Sequence, residues 1–359
     1  MINRIHGGTV QQPRRLPANG KWVDFSVNIN PLGPAPEIRD VITGNLDMLM
    51  HYPEPESGQL RRQLAAFHNI AAQNLLIGNG SIEFIHLIPR ALKVKRALII
   101  SPTFSEYEFA VRINQARPVF VNTKERDGFK IDSAEIKKFV PKVDLVFLCN
   151  PNNPTGFVMP LGDILELSDL CKRRNTVLLV DEVFMDFAEG NERVTMISQV
   201  RKNDFILVLR SLTKFFAIPG LRLGYLIGAE NLIRKIAAFQ YPWNVNTVAQ
   251  IVASSVLKNR NYQRKSIRFI LKEKGYLFNR LRKIKGLKVY YPGANFVFCK
   301  LEGSRVQSAG ELSQKLILKG MVIRNCGNFR GLNQRFFRVA VRTRNQNNRL
   351  IKSLKDILE

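Results

Sequence analysis

The chain has 359 residues, 45% of them hydrophobic and 23% charged, which are the values of an ordinary globular protein and exclude disordered or collagen-like sequence. Its 55 Lys and Arg against 29 Asp and Glu give a formal net charge of +26, so nucleic acid, an acidic membrane surface and an anionic small molecule are all open as partners. No stretch approaches the ~20 consecutive apolar residues of a membrane-spanning helix.

In chain order, residues 1–40 carry many Pro, Gly and Asn and read as an arm rather than a domain. Residues 59–69 place Leu60, Leu64 and Phe67 at helical spacing. Gly78-Asn79-Gly80-Ser81-Ile82-Glu83 is a glycine turn opening a helix over 81–88, and backbone N–H groups at such a start bind phosphate. It is not the dinucleotide fingerprint: Glu83 stands where the third glycine would be, and no clear first strand precedes it. Short runs rich in Val, Leu, Ile and Phe at 97–100, 144–149, 176–180, 205–209 and 225–227 predict buried strands. Amphipathic segments such as 161–174 lie between them. This alternation predicts an α/β fold with a largely parallel sheet covered by helices.

After about residue 246 the pattern changes. A long basic helix is predicted over 262–284, then extended chain over 287–301 broken at Pro292-Gly293, strands at 321–324 and 336–341, and a closing helix over 345–358. The expected division is an arm at 1–40 that contributes to the site, a large domain at 41–245 and a smaller α+β domain at 246–359.

Cys149, Cys171, Cys299 and Cys326 are scattered, with neither metal-ligand spacing nor a disulfide framework. The histidines at 6, 51, 68 and 86 show no zinc pattern, so no metal site is expected. Met1 to Gly8 has no apolar core of a signal peptide, and reduced thiols in a cytoplasm are the expectation. Basic clusters at Lys93-Val94-Lys95-Arg96, at Lys172-Arg173-Arg174 and over 280–288 are spread along the chain without an aromatic–basic stacking motif. Nucleic acid and membrane are therefore not the expected partners.

Ser211-Leu212-Thr213-Lys214 follows the strand at 205–209, and Arg222 follows shortly after. A lysine at the end of a buried strand, its pKa lowered by desolvation and nearby cations, can form a Schiff base, and Ser211 with Arg222 can hold a phosphate. The plain alternative is a surface lysine beside a helix cap. Asp181 ends the strand at 176–180, at the edge where open α/β sheets bind ligands, and could pair with a protonated ring nitrogen or serve only as a helix cap. Asn150-Pro151-Asn152-Asn153-Pro154-Thr155-Gly156 forms a rigid loop that would hold an Asn side chain in place.

The glycine turn, the P-N-N-P-T-G loop, the strand ending in Asp181-Glu182 and S-x-x-K with a later Arg, in that chain order, resemble the pyridoxal-phosphate enzymes of fold type I, the class I and II aminotransferase superfamily, over nearly the whole chain. The resemblance implies pyridoxal 5'-phosphate as cofactor, bound to Lys214. It implies that Asp181 pairs with the pyridine nitrogen, Asn153 donates to the ring hydroxyl oxygen and Phe104 stacks on the ring. Gly80, Ser81, Ile82, Ser211 and Arg222 would cradle the cofactor phosphate, and Tyr52 would reach the phosphate of a neighbouring subunit in a homodimer. Many relatives carry Tyr three residues after the strand Asp; here that position is Phe184, so the ring hydroxyl loses a donor.

His6-Gly7-Gly8, Asn28 within Asp24 to Gly33, Phe184, Pro242-Trp243-Asn244, Ile323-Arg324 and Phe337-Arg338-Val339-Ala340-Val341-Arg342 are similar to the threonine-phosphate decarboxylases of cobalamin synthesis. That resemblance implies decarboxylation of L-threonine O-3-phosphate to (R)-1-amino-2-propanol O-2-phosphate and CO2. It also implies substrate contacts from His6, Gly7, Asn28, Asn153, Arg324 and Arg338. The alternative is a histidinol-phosphate aminotransferase or a related enzyme of amino-acid phosphates, and serine phosphate is a second candidate for decarboxylation. A substrate with a carboxylate and a phosphate needs two cationic anchors, which Arg324 and Arg338 can supply.

Overall fold

The computed structural model describes residues 22–190 and 194–359. Thirteen strands form three sheets among these residues. In chain order the strands are β1 (Val23–Asp24), β2 (Leu75–Gly78), β3 (Arg96–Ser101), β4 (Arg117–Asn122), β5 (Leu145–Cys149), β6 (Val177–Asp181) and β7 (Ile206–Ser211). Then come β8 (Gly224–Gly228), β9 (Leu287–Val289), β10 (Phe296–Leu301), β11 (Met321–Val322), β12 (Arg324–Asn325) and β13 (Phe336–Ala340).

The main sheet has seven strands in the order β2-β8-β7-β6-β5-β3-β4. Neighbours from β4 through β7 are parallel, while β8 runs antiparallel to both β7 and β2. The run at 225–227 is thus the reversed strand of an otherwise parallel sheet. Strands β5, β6 and β7 are buried at every residue, because helices cover both faces. Side chains alternate between two cores: Val146, Leu148, Leu178 and Val180 pack into one, and Phe147, Cys149, Leu179 and Leu209 into the other.

Sequence periodicity misses three strands, β1, β2 and β4, and β1 is only two residues long. β2 is only four residues long, and it runs directly into the glycine turn, so that turn does follow a strand. β4 is a half-buried edge strand containing Pro118, a residue that edge positions tolerate. The predicted strand at 321–324 is two strands in different sheets: β11 pairs with β1, and β12 pairs with β13. The extended run at 287–301 divides into β9 and β10, which pair with each other in the four-stranded sheet β12-β13-β10-β9. The basic helix is continuous over Arg260–Leu281, and the chain closes on a helix at Arg344–Leu358.

Candidate active site

The carboxyl ends of the parallel strands converge on one cavity of about 630 Å³. Cys149 ends β5 and lies in register with Asp181, which ends β6. Ser211 ends β7, and the helix Leu212–Phe215 carries Thr213 and Lys214. From the other side come Ser26, Val27 and Asn28 beyond β1, Arg324 on β12 and Arg338 on β13. One cavity therefore collects Asn28, Gly80, Ser81, Ile82, Phe104, Asn153, Asp181, Ser211, Lys214, Arg222, Arg324 and Arg338.

Asp181 is buried, and its carboxylate accepts from the Tyr107 hydroxyl at 2.5 Å and from the Val183 N–H at 3.0 Å. Burial pushes its pKa up to about 6, against the lowering effect of those two donors. Tyr107 is fully buried, stacked on Phe147 with ring centroids 4.8 Å apart. Burial and the Asp181 charge raise its pKa well above the ordinary phenol range.

Burial, followed by the positive charges of Arg222 and Arg338, holds Lys214 down to a pKa of about 8. Its helix starts on Ser211, whose Oγ accepts from the Thr213 N–H at 3.3 Å and lies 2.8 Å from the Thr213 hydroxyl. Arg222 sits at φ +55° and lies against Gly80: a Cβ on Gly80 would stand 2.6 Å from an Arg222 Nη. A Cβ on Gly224 would stand 2.3 Å from the Ser81 nitrogen, so only glycine lets β8 approach this turn. Glu83, in place of a third glycine, accepts from the Asn79 N–H and from the side chains of Gln240 and Asn244. The glycine turn is thereby tied to the 240–244 segment.

Arg338 donates to Oδ1 of Asn153 and to the Ser26 carbonyl, the latter at 2.8 Å. Arg324 donates to the Asn325 carbonyl and lies 5.0 Å from the centre of the Phe329 ring. The two arginines are cross-strand partners in the β12–β13 ladder. Burial lowers both pKa values, that of Arg338 to about 10. Phe184 lines the same cavity and meets Phe296 edge-on at 5.3 Å.

Three expected residues stand apart. Tyr52 is 83% exposed, outside this cavity, with its ring centre 5.2 Å from that of Trp243. His6 and Gly7 lie outside the described residues. Conversely, the sequence reading passed over Tyr107, Thr213, Ser26 and Phe329, all of which line the cavity. Tyr107 stands three residues beyond Phe104, in the first turn of the helix Glu106–Ile113, and the two rings meet edge-on with centroids 5.7 Å apart.

The family model for class I and II aminotransferases matches residues 20–354. The threonine-phosphate decarboxylase of Salmonella typhimurium is 33% identical over 361 residues, covering 100% of this chain and 98% of its own. Among solved structures, the histidinol-phosphate aminotransferase of Clostridium acetobutylicum superposes with a TM-score of 0.88 at 31% identity, covering 93% of this chain and 98% of its own. The L-threonine-O-3-phosphate decarboxylase of Porphyromonas gingivalis superposes with a TM-score of 0.82 at 28% identity, covering the same shares. The chain belongs to the class I and II aminotransferase family.

Proposed function

We propose that this chain is a pyridoxal-phosphate-dependent decarboxylase of L-threonine O-3-phosphate, yielding (R)-1-amino-2-propanol O-2-phosphate and CO2 for cobalamin synthesis. The observation that carries the reading is the pairing of Arg324 with Arg338 across one ladder, both buried and both on the cavity of Lys214 and Asp181. Like charges directly opposite each other destabilise a sheet, and an anionic ligand relieves that repulsion. Among the described residues, the Arg338 Nε is buried without a hydrogen-bond partner, as is Oδ1 of Asn28. A ligand with two anionic ends and polar groups between them suits this wall. The similarity to the Salmonella typhimurium enzyme supports the same reading.

The residues present fit pyridoxal phosphate. The backbone of the Gly80 turn at the start of the helix Ser81–Ala91, the Ser211 and Thr213 hydroxyls and the Arg222 guanidinium form a phosphate cradle. A Cβ on Gly80 would push the Arg222 guanidinium out of that cradle, and the φ of +80° there suits glycine. Lys214 is the amine that would hold the cofactor, Asp181 the acid for its ring nitrogen, Phe104 its stacking partner and Asn153 the contact to its ring hydroxyl. When bound, the cofactor supplies an electron sink for bonds to the Cα of an amino acid.

The chain's own residues do the rest. Arg324, Arg338 and Asn28 orient the carboxylate and phosphate, and so select which Cα bond is set to break. Loss of CO2 leaves Cα in need of a proton, and the Lys214 amine, with a pKa near 8, can carry one there. Tyr107 holds the Asp181 carboxylate in place from below. His6 and Gly7 are proposed to add contacts to the substrate from the arm.

For the whole molecule we propose an arm at 1–40, a large domain at 41–245 and a small domain at 246–359. We also propose a homodimer that shares its sites. Leu46, Leu49, Met50, Tyr52, Tyr241 and Trp243 are exposed, and the Tyr52 ring lies tilted against that of Trp243. Tyr52 would then serve the partner's cofactor phosphate. Light scattering should give twice the chain mass. A cytoplasmic location fits the four buried free cysteines. No helix among the described residues is long and apolar enough to cross a membrane.

The close superposition on a histidinol-phosphate aminotransferase favours a second reading, transamination of an amino-acid phosphate. Incubating the cofactor-loaded enzyme with threonine phosphate and no keto acid separates the two. Release of CO2 and aminopropanol phosphate is expected. Glutamate formation from histidinol phosphate and 2-oxoglutarate, with no CO2 from threonine phosphate, would replace the first reading by the second. Serine phosphate, one methyl smaller, belongs beside it, because a pocket discriminates a methyl by only ~1–3 kcal/mol.

A further inference from the structure

Four consecutive carbonyls, from Asp24 to Val27, are held by β13 and the residue two beyond its end. The Arg342 guanidinium donates through Nη2 to the carbonyl of Asp24 and, at 3.5 Å, to that of Val27. The Ala340 N–H donates to the Phe25 carbonyl at 2.8 Å. Arg338 donates to the Ser26 carbonyl at 2.8 Å. Residues 338, 340 and 342 repeat at the period of a strand, so one edge of extended chain reaches all four oxygens.

The segment so held is a wall of the cavity: Ser26, Val27 and Asn28 all line it. Arg342 does not line it. Its base is rigid, because the Arg342 N–H donates to Oδ1 of Asn347 at 3.0 Å and its carbonyl accepts from Nδ2 of the same side chain at 2.8 Å. Asn347 also donates to Glu273, which takes three hydrogen bonds from Arg344. The fixed point of the wall therefore lies outside the cavity.

We propose that Arg342 is a positioning residue for substrate: by fixing the carbonyls of Asp24 and Val27 it sets where the Ser26 carbonyl holds Arg338 and where Asn28 meets the ligand. The inference rests on the reading of Arg338 as a substrate anchor. It assigns Arg342 to substrate binding and not to the cofactor, since among the described residues its guanidinium donates to the Asp24 and Val27 carbonyls and to no cofactor-side residue.

The test compares Arg342→Ala and Arg342→Lys with the wild-type holoenzyme. Removing a charged donor from two carbonyls should raise KM for threonine phosphate about tenfold, with a smaller fall in kcat because Arg338 and Asn28 also orient the Cα bond. Inorganic phosphate, titrated as a competitive probe, should weaken by a similar factor, and pyridoxal-phosphate affinity should not change. Hydrogen exchange at the amides of residues 23–28 should speed up. Lysine keeps the charge but offers one nitrogen for two carbonyls, so Arg342→Lys should recover part of each effect. Faster exchange with unchanged KM and phosphate affinity would overturn the proposal, as would a parallel loss of cofactor affinity. If Arg342→Ala does not fold, the Lys variant carries the same comparison. If wild-type enzyme does not turn over threonine phosphate, the functional reading fails, while the exchange and phosphate measurements still decide the role of Arg342.

Discussion

The Tyr107 hydroxyl donates to Oδ2 of Asp181 at 2.5 Å, and both side chains are buried. Its bond lowers the Asp181 pKa, in opposition to burial. Tyr107→Phe keeps the stacking on Phe147 and removes only that donor. The Asp181 pKa should then climb above its value near 6, and the acid limb of the pH–activity profile should move to higher pH, with kcat falling about tenfold. An acid limb that stays in place would show that the hydroxyl has no part in ionising Asp181.

The proposed capture of the cofactor aldehyde by Lys214 requires the neutral amine. Its folded pKa of about 8 is depressed, so the neutral amine dominates above that pH and is lost as pH falls through it. The rate of pyridoxal-phosphate capture by cofactor-free protein should rise through a midpoint near pH 8. Arg222→Gln removes one of the two charges that lower this pKa and should move the midpoint up, whereas Arg222→Lys should leave it nearly in place. Stopped-flow absorbance across pH 6.5–10 would check both expectations, within about one pH unit.

Asp181 also makes the cofactor-free protein sensitive to pH. Its folded pKa is raised above the unfolded value of about 4, so the folded chain binds the proton more tightly. The stability it contributes is full below about pH 4 and is lost as pH rises through about 6. Asp181→Asn removes this dependence. The unfolding free energy of the wild type minus that of the variant should fall by about 2–3 kcal/mol between pH 4 and pH 8 in urea titrations. A flat difference would mean that Asp181 is not held in a desolvated site.

Gly224→Ala places a methyl 2.3 Å from the Ser81 nitrogen, where the backbone itself must move. The variant should lose about 1–3 kcal/mol of stability and bind pyridoxal phosphate more weakly, because the displaced atoms belong to the phosphate-side turn. Fluorescence titration with the cofactor would measure the second effect. Gly220→Ala, where a Cβ meets nothing within 4 Å, is the control.

How far these features could be read from sequence depended on length and periodicity. The central strands β5, β6 and β7 are apolar at nearly every position, so composition alone marks them. β2 and β4 do not stand out, one for shortness and the other because an edge strand alternates weakly. Lys214, Asp181 and Arg222 were legible because strand-end chemistry sits beside a recognisable apolar run. Tyr107 was not, since nothing in the local sequence says that its hydroxyl meets an acid 74 positions away. Likewise Arg324 and Arg338 suggested two anchors, but only the strand register makes them partners. Tyr52 stands on the surface beside Trp243, a placement no spacing rule supplies.

The wall at residues 24–27 also has a history in the order of synthesis. Its bonds to Arg338 and Arg342 span 312 and 318 positions, close to the length of the whole chain. A ribosome exposes the amino-terminal side first, and the seven-stranded sheet is complete in sequence once β8 has emerged. The partners that shape the substrate side emerge last. A nascent chain long enough to build the proposed phosphate cradle therefore still lacks the wall proposed to select a substrate, and it acquires that wall only when residues 24–27 meet residues 338–342.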